Sequence, residues 1–164
     1  MHRPDAPGRT VTARSGAFLL FCAASVAYSP TARTSLCLPS DGRFELRYLH
    51  SVERTPVVER YRVAADGTLW LEGMRFRSSG WGFPSEGFRR HGAWFETTHP
   101  PRRLDGLVLR VSRLSRQELR AGVRVLALYP LAREGAALRV DPFTRGRCPR
   151  GLILRSVARG RSVR

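Results

Sequence analysis

Two ionisable side chains stand where the sequence otherwise places apolar ones. In the stretch FELRYLHSVERTPVVERYRV, Phe44, Leu46, Tyr48 and Val52 share one parity, and Glu45, Arg47, Ser51 and Glu53 share the other. That alternation is the signature of a half-buried strand, and His50 falls on its apolar side. After Pro56 a second alternation begins, with Val57, Tyr61 and Val63 opposed to Val58, Arg60 and Arg62, and Glu59 falls in the apolar set. An imidazole and a carboxylate among apolar neighbours can hold each other in a charge-assisted hydrogen bond. Such a pair either pins the register of a hairpin or serves a ligand or a proton transfer.

The hairpin that would join them can be argued from Pro56. Proline has no N–H and cannot close a two-residue turn, so a four-residue loop from Glu53 to Pro56 is the simpler solution. It predicts the pairs Val52–Val57, His50–Glu59, Tyr48–Tyr61 and Leu46–Val63, all on one face. Opposed side chains would then lie about 5 Å apart at Cβ. Other chemistry is sparse. His50 and Ser51 are adjacent on a strand, so they point to opposite faces and cannot act as base and nucleophile. The chain contains no G-x-S-x-G, H-E-x-x-H, phosphate-loop or dinucleotide motif, and its four histidines lack ligand spacing, so neither cofactor nor metal is expected.

The elements around the hairpin read as short strands. Asp66-Gly67 signals a turn into a third strand, Leu69 to Phe76, and a two-residue turn pairs Val63 with Trp70 and Glu59 with Met74. Further strands are predicted at Ser35–Pro39, Ala93–Thr97, Leu107–Val111, Val123–Tyr129 and Leu138–Val140, while residues 113–120 read as a helical turn or an irregular strand. Between them, Gly80, Gly82, Pro84 and Gly87 forbid a long regular element. Trp81, Phe83 and Phe88 in that stretch either pack over the core or line a ligand pocket. The fold class is all-β: a single small antiparallel sandwich or open barrel over residues 35–142.

The two ends differ from this middle. The chain has 164 residues and a formal charge of +16, and every cation is arginine. Net charge is +3 over residues 1–34, +6 over 35–138 and +7 over 139–164. Charge concentrated at the ends argues against a nucleic-acid-binding surface on the folded part. Residues 1–32 carry Arg3, Arg9 and Arg14, then the apolar run Gly16–Tyr28, then small residues. This is the order of a signal peptide or N-terminal anchor, and it places the protein in the periplasm or cell envelope. Cys22 would leave with a cleaved signal. Cys37 and Cys148 would remain in an oxidising compartment, as a disulfide or as two free thiols. Residues 143–164 read as a basic, poorly ordered tail that could touch anionic lipid headgroups.

The block YLHSVERTPVVERYRV, followed by Asp66-Gly67-Thr-Leu-Trp-Leu and by Ser79-Gly80-Trp81-Gly82-Phe83-Pro84, resembles the bacterial family called domain of unknown function 1850. The resemblance covers roughly residues 35 to 128. It implies a small exported or membrane-linked protein associated with tripartite solute transporters of the TAXI type, with no established activity. It carries over His50, Ser51, Glu59, Gly80, Gly82 and Pro84 as candidate binding residues. The expected role is therefore an accessory one, contacting a transporter membrane subunit or a small solute. The alternatives are a small enzyme using a His50–Glu59 proton-transfer pair, and a nucleic-acid binder acting through the Arg-rich tail.

Overall fold

A computed structural model describes residues 33–78, 83, 86–145 and 148–157; the signal-like segment 1–32 lies outside them. Twelve strands follow in order: β1 (Arg33–Cys37), β2 (Arg43–Leu49), β3 (Pro56–Val63), β4 (Leu69–Phe76), β5 (Phe88–His91), β6 (Trp94–Thr97), β7 (Arg102–Leu104), β8 (Leu107–Arg110), β9 (Glu118–Ala121), β10 (Arg124–Ala127), β11 (Ala137–Arg145) and β12 (Cys148–Val157). A 3₁₀ turn, Tyr129–Leu131, precedes β11, and these are the elements among the described residues. The strands form two antiparallel sheets. The larger has the order β10-β9-β2-β3-β4-β6-β5, with β7 also pairing β4, and the smaller has the order β1-β12-β11-β8.

The sheets face each other across one apolar core. The large sheet contributes Phe44, Leu46, Tyr61, Val63, Leu69 and Leu119, and the small sheet Leu36, Leu109, Leu138, Val140, Leu152 and Leu154. Each fully buried aliphatic side chain contributes about 1.5–3 kcal/mol relative to exposure. Neither sheet closes on itself, so the architecture is the sandwich rather than the barrel.

The central hairpin forms, in a register other than the predicted one. Leu46 faces Glu59, Tyr48 faces Val57, and Phe44 faces Tyr61. The connection is a six-residue loop, His50 to Thr55, closed by the His50 N–H to the Thr55 carbonyl (2.9 Å) and the Arg54 N–H to the His50 carbonyl (2.9 Å). Arg54 takes a left-handed conformation there, at φ 53°. Pro56 thus begins β3 instead of ending the loop. The displacement is an even number of residues, so the side chains that remain in the strands keep their predicted face while their partners change, and His50 and Val52 pass into the loop.

Strand β4 carries a bulge. Its pairing with β3 shifts by one residue between Arg60–Gly73 and Tyr61–Leu71, leaving Glu72 as the extra residue. The inward positions accordingly change from Leu69 and Leu71 to Met74 and Phe76. Of the two predicted β3–β4 pairs, Glu59–Met74 is present, whereas Val63 faces Leu69 and not Trp70. Gly73, next to the bulge, is buried, and a Cβ there would meet the Arg60 guanidinium at 3.0 Å. The missing side chain lets Arg60 cross β4 to pair with Glu96 on β6.

The expectation of a poorly ordered tail from residue 143 is overturned through residue 157. Strand β12 lies inside the small sheet, between β1 and β11, with Leu152 and Leu154 buried. Gly151 faces Phe143, and a Cβ would meet that ring at 2.5 Å. Of the arginines that suggested a tail, Arg155 stands on the outer side of this sheet, where Asp141 holds it together with Arg139 (2.7 Å).

Candidate functional site

Glu59 is half-buried on the inner side of β3, between Val57 and Tyr61. Across the sheet it faces Leu46 on β2 and Met74 on β4. Tyr48 lies diagonally across the hairpin, within reach of a long side chain. Its hydroxyl donates to Glu59 Oε1 at 2.9 Å, and the Tyr61 hydroxyl donates to Oε2. Each carboxylate oxygen therefore has one phenol. Tyr61 is itself fixed by stacking on Phe44, with ring centroids 5.1 Å apart.

Burial first, then the neighbouring Glu59 charge, pushes both phenols well above the usual tyrosine range. They are neutral donors at any physiological pH. The arrangement can hold a negative charge on an otherwise apolar face, because both oxygens accept hydrogen bonds from groups that do not ionise.

His50 has a different place. It stands four residues beyond Leu46, the partner of Glu59, which is about 13 Å at strand rise. Its Nδ1 accepts the Glu53 N–H at 3.2 Å, and its ring lies on Phe83 with centroids 4.5 Å apart. The predicted His50–Glu59 pair is thus not formed: the longer loop takes the histidine to the hairpin tip, and two tyrosines take the carboxylate. Ser51 is exposed at that tip. Gly80, Gly82 and Pro84 lie outside the described residues. Phe83, described within that stretch, stacks on Phe76 at 4.6 Å, which favours core packing over pocket lining for this aromatic residue. Phe76, Phe83, Phe88 and Phe95 form a second apolar cluster, separate from the main core. Glu59 and its phenols sit where the two clusters meet.

The outer face of the large sheet is a lattice of arginine and glutamate. Arg43 and Arg62 donate through Nε to Glu72 at 3.1 and 2.6 Å. Arg47 pairs with Glu45 (2.7 Å) and Arg120 with Glu118 (2.6 Å). Arg75 and Arg77 lie over the Trp94 ring, at 5.0 and 5.3 Å. Burial opposes ionisation of Glu72, yet Arg62 and Arg43 outweigh it and hold its carboxyl below the usual range.

Cys37 on β1 and Cys148 on β12 form a disulfide, with Cα atoms 5.5 Å apart and a sequence separation of 111. The strands that carry them are already neighbours, with Cys37 opposite Gly151. Sequence reasoning missed the tyrosines as holders of Glu59. The signal was present: Tyr61 follows Glu59 by two residues on the same face, and Tyr48 shares the inward parity of β2.

A family model described as a domain of unknown function, DUF1850, matches residues 44–128. No curated protein and no solved structure matches the chain.

Proposed function

Because the chain belongs to the family of the domain of unknown function DUF1850, we propose that it is a non-catalytic β-sandwich of the cell envelope, exported or N-terminally anchored, that serves a TAXI-type solute transporter by binding. The observation that carries the location is the Cys37–Cys148 disulfide, since such bonds persist in oxidising compartments and are rare in the cytosol. The transporter role draws on the family resemblance of residues 35–128. The binding surface in this reading is the hairpin tip with His50 and exposed Ser51. Its partner is a transporter membrane subunit. A proton-transfer enzyme is not favoured, because His50 and Glu59 occupy different places on the hairpin.

The test is fractionation of cells producing the tagged full chain, with thiols alkylated before lysis. The expected product is in the envelope, and its Cys37 and Cys148 react only after reduction. A photocrosslinker at position 51 should capture the membrane subunit. A cytoplasmic product with both thiols free would overturn the proposal.

A further inference from the structure

The large sheet has a gap beside the Glu59 site. On the side of β4 away from β3, β6 pairs with Arg75 and Phe76, and β7 pairs with Leu69 to Leu71. Glu72, Gly73 and Met74 have no strand partner there. Pro100 and Pro101 lie in the connection from β6 to β7, and without N–H groups they cannot continue a ladder across the gap. The Thr97 hydroxyl oxygen accepts the Met74 N–H at 2.9 Å in place of a strand.

A cleft of about 540 Å³ opens at this gap, lined by Leu71, Met74, Thr97, Pro100, Pro101 and Arg102, with His99 and with Glu72, whose carboxylate oxygens are taken up by Arg43 and Arg62. Its volume falls in the range of small-molecule sites. Most of the lining is apolar, and one cation stands at the mouth. On the outer face Arg43, Arg47, Arg60, Arg62 and Arg120 each have a carboxylate. Arg102 is exposed and has none among the described residues. Its charge reaches Tyr61, where it acts against the effect of burial. Glu59 is occupied by two phenols and stands across the sheet from Met74.

We infer that this cleft binds a small organic carboxylate, its apolar body against Leu71, Met74 and the prolines and its anionic end on Arg102. One planar guanidinium suits a carboxylate, which it can meet with two parallel hydrogen bonds. An inorganic anion would gain nothing from the apolar floor. The inference rests on the binding role proposed above, and a negative result here leaves the fractionation result standing.

The test is an NMR titration of the full, oxidised chain with hexanoate, hexanol and acetate. Hexanoate should shift the amides of residues 71–74 and 97–102, and bind about tenfold more tightly than either hexanol or acetate. Arg102→Gln should lower hexanoate to the hexanol level and leave hexanol unchanged, and Arg102→Lys should keep part of the preference. Shifts confined to other residues, no saturable shift, or an Arg102→Gln variant that binds hexanoate as the parent does would each overturn the proposal.

Discussion

The two faces of the large sheet each hold a glutamate with two donors, and they hold it differently. On the inner face Glu59 receives two phenols that burial keeps neutral. On the outer face Glu72, pushed out by the β4 bulge, receives two guanidiniums. A carboxylate near the core is held by donors whose own charge need not be buried, so only one ion is desolvated. A carboxylate on the surface can take cations, because water still reaches all three groups. The first arrangement is costly to break and the second is not, since an unsatisfied group in an apolar setting costs more than a screened surface pair.

This contrast can be sharpened by substitution. The largest effect is expected from Phe76→Ala on the inner face. Phe76 is fully buried and touches three other phenylalanines, so chemical denaturation should show a loss of about 3–5 kcal/mol. Glu59→Ala comes next, at about 2–4 kcal/mol, because it strands two phenols; a loss no greater than that of an outer-face variant would remove the distinction between the faces. Alkaline titration separates the faces without mutation. The folded values of Tyr48 and Tyr61 are raised, so their contribution is complete below the unfolded value of about 10 and declines as pH rises above it. The melting temperature should fall above that pH, and less steeply in a Tyr48→Phe/Tyr61→Phe variant. The chain has no lysine to titrate in the same window. The smallest effect is expected from Glu72→Gln, at less than about 1 kcal/mol and weaker still in high salt. Because its folded value is lowered, what Glu72 adds is present above the usual carboxylate range and disappears on acidification.

Much of the fold was legible because alternation survives in short strands. Leu69–Phe76 was read to the residue as β4, and the predicted strands Ala93–Thr97, Leu107–Val111 and Val123–Tyr129 contain β6, β8 and β10. What failed was whatever depends on the count of residues in a connection. The hairpin loop is six residues long because Arg54 accepts a left-handed conformation, a choice that residue type does not announce. One bulge residue altered the Val63 pairing in the same way. Strand β12 was hidden by composition: its arginines masked the inward Leu152 and Leu154. For the candidate site, the sequence singled out Glu59 as an unusual inward carboxylate and mistook its partner, since partner choice follows register.

Strands β1, β11 and β12 lie outside residues 44–128, yet with β8 they make up the entire second layer of the sandwich. The two flanks of the chain thus meet to form a lid that the segment between them cannot supply for itself. A fragment trimmed to residues 44–128 would leave Phe44, Leu46, Val63 and Leu69 open to solvent, and such a piece should self-associate rather than remain a monomer.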